Sequence, residues 1–340
     1  MGFPSLQSIR TVFFGSPAFA LPSFEALRAA GANLVGVVTQ PDKPAGHGHR
    51  LTAPPVKVWA EQRGIPVFQP TGLKKEENRA FLRTLAPDLL VVVAYGKILP
   101  KEVLDLPKRG AVNVHASLLP KYRGPAPIPA AILAGETETG VTIMKLDEGM
   151  DTGPLLAQER VPIALEDAAG TLARKLADVG AQLLLPTLER YIEHELFPAT
   201  RSLGEVWPTP QDNGQASVCP MLKKDDGRID WTKAAEHIAR MVRAYDPWPR
   251  AFTTWRGKQL LILQAVPWAS SAPTGGPEVT TGIVSREPTG GVTVQTGRGK
   301  LQLLNVQLAG RKPLTIEQFL LGHPLLIGST LGTASPRQTI

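Results

Sequence analysis

The sequence predicts an α/β protein whose first part is a doubly wound, mostly parallel sheet and whose second part is a small OB-like β-barrel. Three observations carry that expectation. Continuous apolar runs of strand length, beginning at Thr11, Leu34 and Asp88, alternate with helical patterns, as strands covered on both faces by helices require. A proline-bearing stretch, from Phe197-Pro198-Ala199-Thr200 to Trp207-Pro208-Thr209-Pro210, then breaks the periodicity in the manner of a connection between domains. Beyond it the runs are short and alternating, and Gly, Pro and Ser turns separate them, the pattern of a small antiparallel barrel.

Taken in chain order, Thr11-Val12-Phe13-Phe14 reads as a buried strand entering the turn Gly15-Ser16-Pro17, and Phe24, Leu27 and Ala30 mark the helix that follows. Runs at Leu34 to Thr39 and Asp88 to Ala94 supply further buried strands. Alternation of strand and helix makes a Rossmann-like parallel sheet, with its site at the carboxyl ends of the strands. Gly15-Ser16-Pro17 does not form a G-x-G-x-x-G, so nothing specific points to a dinucleotide. Ala111 to His115 follows the turn-like Lys108-Arg109-Gly110 and reads as a short strand. After the connection come a helix pattern at Ala234 to Ala244 and strand patterns at Gln259 to Leu263, Val292 to Thr296 and Leu301 to Leu308. The expected organisation is a catalytic domain at 1–195, a linker at 196–212, a basic β-barrel domain at 213–325 and a flexible tail at 326–340.

A chain of 340 residues exceeds the roughly 100–200 residues of one ordinary domain. Its single cysteine, Cys219, excludes an internal disulfide and a multi-cysteine zinc site and agrees with a reducing compartment. Residues 1–10 lack the charged start and apolar run of a secretory signal, and no apolar run reaches the roughly 18–20 residues needed to span a bilayer. The expectation is a soluble, cytoplasmic protein with no membrane partner. Charge is divided unevenly: residues 1–206 hold 22 Lys and Arg against 21 Asp and Glu, and residues 207–340 hold 15 against 9. A basic second part beside a near-neutral first part suggests that a polyanion is held by one and chemistry done by the other.

The chemistry is concentrated in Asn113-Val114-His115-Ala116-Ser117-Leu118-Leu119-Pro120, which continues through Tyr122-Arg123-Gly124. Residues two apart on a strand share a face, so Asn113 and His115 aim an amide and an imidazole at one point. That is what proton transfer and oxyanion stabilisation at a carbonyl demand. A histidine beside an asparagine is by itself more often structural, and a second segment strengthens the case. Gly140 to Lys145 alternates like a strand and runs into Leu146-Asp147-Glu148-Gly149-Met150-Asp151-Thr152-Gly153. A carboxylate of that loop can orient the imidazole or stabilise its cation; Asp147, Glu148 and Asp151 all compete for the role. Metal binding by His47 and His49 has no carboxylate or thiol at useful spacing, and no metal is expected.

Asn-x-His-x-Ser-Leu-Leu-Pro followed by Leu-Asp-x-Gly-x-Asp-Thr-Gly resembles the folate-dependent formyltransferases. The resemblance implies Asn113, His115 and Asp151 as the catalytic set, with Asp147 left as loop structure. It implies 10-formyltetrahydrofolate as formyl donor, contacted by Ser117, Leu118, Leu119 and Pro120 and, at a strand end, by Tyr95 and Gly96. Thr39 to Gly46, Val91 to Pro100, and Ile229-Asp230-Trp231 with Ala244 to Pro249 look like the branch of the family whose substrate is initiator methionyl-tRNA. In that branch the segment 40–50 reaches toward the tRNA acceptor end, which implicates Lys43 and Arg50. In the basic second part Lys223, Lys224, Arg311 and Lys312 are the expected phosphate contacts, because they fall in exposed pairs outside the strand patterns. A monomer is the family expectation. Three other readings remain: a formyltransferase of an amino-sugar nucleotide, which uses the same three residues; a hydrolase that releases formate from the same folate, in which those residues activate water; and a non-catalytic RNA-binding protein, which leaves them without purpose.

Overall fold

The structure is a computed structural model describing residues 6–45, 50–196, 206–269 and 280–332, apart from the side chains at 45, 50, 195 and 196. Residues 197–205 of the expected linker, His47 and His49, the Arg50 side chain, and the end of the expected tail from 333 lie outside the described residues.

In the first part β1 (Thr11–Gly15), α1 (Leu21–Ala29) and β2 (Leu34–Val38) begin a walk from the middle of the sheet toward one edge. A short hairpin follows, β3 (Lys43–Ala45) with β4 (Arg50–Thr52), then α2 (Pro55–Glu61), β5 (Val67–Phe68) and α3 (Glu76–Thr84). The chain then crosses to the other side of β1 with β6 (Leu89–Val93), α4 (Lys101–Leu104) and β7 (Ala111–His115). After α5 (Pro127–Ala134) it adds β8 (Glu138–Lys145) and β9 (Leu155–Pro162), and ends in the long helix α6 (Ala169–Leu196).

The sheet order is β5-β2-β1-β6-β7-β8-β9. Pairing is parallel from β5 to β7 and antiparallel for β7–β8 and β8–β9. Every residue of β1, β6 and β7 is buried, which is why those strands read as unbroken apolar runs. Because the chain leaves β1 in opposite directions, the topological switch falls between the carboxyl ends of β1 and β6, where Gly15 pairs with Val93. α6 covers β7 closely: a Cβ on Gly180 would stand 2.9 Å from Val114 Cγ1.

The second part holds α7 (Ala235–Ala244), β10 (Ala251–Trp255), β11 (Lys258–Pro267), β12 (Val284–Arg286), β13 (Val292–Gln295), β14 (Lys300–Leu308), β15 (Leu314–Thr315) and α8 (Ile316–Gly322). The strands form an antiparallel sheet in the order β10-β11-β14-β13-β12, with β15 on β14, of the OB-like class. Alternation in β14 buries Leu301, Leu303, Val306 and Leu308, and Ile238, Met241 and Val242 of α7 are buried as well. Thr315 and Gln318 close α8 with a reciprocal capping box, satisfying two backbone donors that the helix start leaves open.

Contacts divide the chain into two compact units. One holds the chain through Pro127 with Glu138–Pro162 and Ala173–Pro220; the other holds Ile128–Thr137, Ile163–Leu172 and the chain from Met221 onward. Among the described residues no helix is long and apolar enough to cross a membrane.

Candidate active site

β7 ends on His115, and Asn113 precedes it on the same face of the strand; the two are 6% and 8% exposed. Asn113 makes no side-chain hydrogen bond to a described residue, so its amide is uncommitted. The following turn, Ser117 to Pro120, is held from the neighbouring strand. Thr142, opposite His115 in the β7–β8 register, donates its hydroxyl to the Ser117 carbonyl at 2.6 Å and accepts from the Leu119 amide at 3.1 Å. Gln158 on β9 donates to the Leu119 carbonyl at 2.8 Å and to Thr142 Oγ1 at 2.9 Å. Leu118 stays half-buried, and the Leu119–Pro120 peptide is cis. Neither Thr142 nor Gln158 stood out in the sequence; the one available signal was a polar residue inside an otherwise apolar strand.

The His115 ring faces a carbonyl at one nitrogen and a carboxylate at the other. Nε2 lies 3.0 Å from the Tyr122 carbonyl oxygen, and since a carbonyl only accepts, Nε2 carries the hydrogen there. Nδ1 lies 3.7 Å from Asp151 Oδ2, and that same oxygen accepts from the Gly124 amide at 2.8 Å. The three acids of the loop therefore separate by geometry. Asp147 accepts from the Gly149 amide and from Thr152 Oγ1 at 3.0 and 2.7 Å, within its own loop, and Glu148 is exposed, 3.8 Å from Lys101.

Residues 207–219, expected as the end of the linker up to 212 and the start of the second domain from 213, run against this site. Gln211 donates to the Asp151 and Gly153 carbonyls at 2.9 and 2.7 Å and accepts from Arg123 Nε and Nη2 at 3.1 and 2.8 Å. Ser217 Oγ accepts from the Tyr122 amide at 2.9 Å. Cys219 is buried with its sulfur 3.2 Å from the Arg123 carbonyl; burial pushes its thiol pKa up, which leaves it a poor nucleophile.

The other expected contacts are placed unequally. The Tyr95 ring is 1% exposed and sits edge-on to Phe14 at 5.2 Å in the core. There burial pushes the phenol to about 12. Gln40 holds the Tyr95 carbonyl at 2.8 Å, and Gly96 next to it is exposed. Lys43 is exposed on β3 and donates to Gln40 Oε1 at 2.5 Å. Asp42, by contrast, is committed: hydrogen bonds from Gln69 and then Lys57 hold its carboxyl below the usual range.

In the second unit Arg311 and Lys312 are exposed in the turn after β14. The Ala309 amide donates to the Gln259 carbonyl at 2.9 Å, and Trp255 pairs with Lys258 across the β10–β11 turn. Arg256 and Lys258 therefore stand at the same end of the sheet as Arg311 and Lys312, and none of the four has an ion pair among the described residues. Lys223 and Lys224 are exposed but adjoin Asp225 and Asp226, which balances their charge locally.

Among the described residues no group of three or more His, Cys, Asp or Glu could hold a metal ion. A cleft of about 470 Å³ in the first unit, lined by Lys101, Asp105, Ala111, Lys145 and Asp147 among others, opens at the start of β7, the end opposite His115.

Residues 9–188 match the family described as formyl transferase, and residues 221–324 match the formyl transferase C-terminal domain. A methionyl-tRNA formyltransferase of Chloroflexus aggregans is 49% identical over 92% of this chain and 97% of its own length. One of Sorangium cellulosum is 44% identical over 95% of this chain and 100% of its own. Among solved structures, an N-formyltransferase of Helicobacter canadensis in complex with folinic acid and dTDP-3-aminofucose superposes with a TM-score of 0.57 at 18% identity, covering 87% of this chain and 99% of that one. HypX of Aquifex aeolicus in complex with tetrahydrofolic acid superposes at 0.54 and 19% identity, covering 92% of this chain and 47% of that one. At those identities the superpositions speak for the fold alone.

Proposed function

The chain belongs to the formyltransferase family, and on that premise we propose that it transfers the formyl group of 10-formyltetrahydrofolate to the amino group of methionine on initiator methionyl-tRNA. The observation that carries the reading is the setting of His115. With Nε2–H committed to the Tyr122 carbonyl, the neutral ring keeps its lone pair on Nδ1, the nitrogen that faces Asp151. Nδ1 is thus the atom that takes a proton from an incoming amine, and the carboxylate 3.7 Å away stabilises the resulting imidazolium. The uncommitted amide of Asn113, on the same strand face, supplies a fixed N–H for negative charge that develops on a carbonyl oxygen.

The residues present fit a folate. A flat pterin needs an apolar wall and a few backbone groups that read its edge; the turn Ser117 to Pro120 offers the half-buried Leu118 beside a backbone fixed by Thr142 and Gln158. Bound there, the folate supplies the electrophilic formyl carbon. Gly96 lies at the topological switch of the sheet, where ligands of such folds sit.

Charge supports a tRNA rather than a small acceptor. The four cations at one end of the second sheet, with Lys43 on the hairpin of the first unit, suit a phosphate backbone. An amino-sugar nucleotide needs no such surface, and the 44–49% identical relatives carry the methionyl-tRNA name. The reading extends to a monomer acting in the cytosol.

The test is incubation with labelled formyl-folate and charged initiator tRNA, with glycinamide ribotide and an amino-sugar nucleotide in parallel. Label on methionyl-tRNA alone is the expected result; label on the sugar nucleotide alone would replace the proposed acceptor. Sedimentation at micromolar concentration checks the monomer.

A further inference from the structure

We propose that residues 207–219 form a strap that sets the geometry of the active site, with Gln211 and Ser217 as its positioning residues. The inference rests on the formyl-transfer reading. The two residues that meet the nitrogens of His115 both have left-handed backbones, Tyr122 with φ of 60° and Asp151 with φ of 55°. L residues adopt that conformation seldom, because Cβ then crowds the carbonyl oxygen, so each relaxes unless its neighbours hold it. Both are held by the same segment. Ser217 Oγ accepts from the Tyr122 amide, and Gln211 Nε2 donates to the carbonyls of Asp151 and Gly153.

The chemistry at Gln211 admits little else. Arg123 only donates, so the amide oxygen of Gln211 must face it; backbone carbonyls only accept, so the NH₂ must face the Asp151 loop. One planar group carrying an acceptor and two donor hydrogens satisfies all four contacts. Glutamate would keep Arg123 and lose both carbonyls. Arg123 is 7% exposed, and its guanidinium is met by the amide oxygens of Gln211 and Asn213, neutral partners that lock direction without competing with Asp151 for charge.

The strap is itself anchored. Trp207 Nε1 donates to the Leu156 carbonyl at 2.9 Å, and Thr209 exchanges backbone hydrogen bonds of 2.7 and 2.9 Å with Leu155. The Arg123 amide donates to the Ser217 carbonyl and the Cys219 amide to the Arg123 carbonyl, each at 2.8 Å. Gly124, with φ of 114°, permits the approach: a Cβ there would lie 2.4 Å from the Cys219 carbonyl oxygen. Its amide meanwhile holds Asp151 Oδ2. The strap therefore fixes the aim of the carboxylate at His115 Nδ1 through both the backbone and the side chain of Asp151.

Steady-state kinetics with formyl-folate and charged initiator tRNA test this on the full chain as wild type, Gln211→Glu and Gln211→Ala. A wild type that transfers no formyl group would sink the functional reading itself. Given an active wild type, displacement of a catalytic group by an ångström costs up to about 100-fold, so kcat falls about 10- to 100-fold in both variants. KM for each substrate stays within about 2-fold, since the side-chain hydrogen bonds of Gln211 to described residues run to Arg123 and the Asp151 loop. Circular dichroism should show both variants folded. Unchanged kcat, or a raised KM at unchanged kcat, would overturn the proposal. So would unfolding of both variants, which would make the amide a folding element.

Discussion

Thr142→Val asks how much of the active site depends on one hydroxyl. Thr142 is fully buried and its Oγ1 makes three contacts, to the Ser117 carbonyl, the Leu119 amide and Gln158 Nε2. Valine fills nearly the same volume, so no cavity term enters. A typical hydrogen bond contributes about 0.5–1.5 kcal/mol net, and a buried polar group left without a partner costs about 1–3 kcal/mol. The Ser117 carbonyl and Leu119 amide would both lose their Thr142 partner, and Gln158 keeps the Leu119 carbonyl, which places the expected loss near 3 kcal/mol. For a unit of this size that lowers the first thermal transition by about 6–12 °C. The turn that those bonds fix is the proposed folate wall, so KM for formyl-folate should rise about 10-fold while KM for methionyl-tRNA holds. Thr142→Ser, which keeps the hydroxyl, should recover most of both. Differential scanning calorimetry and steady-state kinetics measure them. A Thr142→Val protein that melts within about 2 °C of wild type with an unchanged folate KM would show that the turn is held elsewhere, and the account of the site would need rebuilding.

Much of the scaffold was legible because its strands are buried on both faces. The run at 89–93 and the strand at 111–115 appear where the apolar pattern placed them, and a period of two put Asn113 and His115 on one face. The partner of His115 was not legible from local pattern, since Asp147, Glu148 and Asp151 all sit in one acidic loop. The family motif selected Asp151, and the structure supplies the physical reason. Asp147 is consumed by Gly149 and Thr152, whereas the left-handed turn at Asp151 brings its carboxylate back to the ring. The direction of the Tyr95 ring is not legible in the sequence, because a tyrosine near a strand end carries no mark of whether it points inward; the chain turns through Ala94, φ 48°, and the ring is buried. The strap, whose residues 207–212 fall in the expected linker and 213–219 in the expected second domain, is not legible for a related reason. Its contacts are side chain to backbone, at Gln211 and Ser217, and such bonds leave no periodicity in the sequence. Recruitment of Ile128–Thr137 and Ile163–Leu172 into the second unit likewise rests on bonds between distant segments, such as Arg240 to the Leu133 carbonyl and Arg243 to the Asp167 carbonyl.

Asn113→Ala should slow turnover by about 100- to 1,000-fold, the worth of one oxyanion donor, with a smaller change in folate KM; near-normal single-turnover rates would remove the amide from the mechanism. Tyr95→Phe deletes a buried hydroxyl that has no partner among the described residues, so urea unfolding should show equal or greater stability, by up to about 1–3 kcal/mol. A raised folate KM in that variant would place the phenol in the site after all. Glu287 is held below the usual carboxylate range, first by Lys300 and then by Thr293. Its folded-state pKa is lowered, so its contribution to stability is present above the ordinary glutamate value and is lost as pH falls through and below it. The gap in urea stability between wild type and Glu287→Gln should therefore shrink from pH 7 to pH 4, and a constant gap would refute the linkage. The final expectation concerns the cations at the end of the second sheet. Arg256, Lys258, Arg311 and Lys312 are brought to one place by the β10–β11 turn and the turn after β14. No carboxylate among the described residues pairs with them, so their potentials add instead of cancelling. Each phosphate neutralised on a nucleic acid contributes about 0.7–0.9 to the slope of log affinity against log salt. Replacing all four by Ala should then flatten that slope for methionyl-tRNA by up to about 3 units and raise its KM most at low salt, with folate KM unchanged. Lys223 and Lys224, balanced by Asp225 and Asp226, should move the slope far less when neutralised together. Lys74→Ala with Lys75→Ala, exposed on the first unit, controls for net charge. Equal flattening by every set would mean that overall charge, and not this surface, draws the tRNA to the protein.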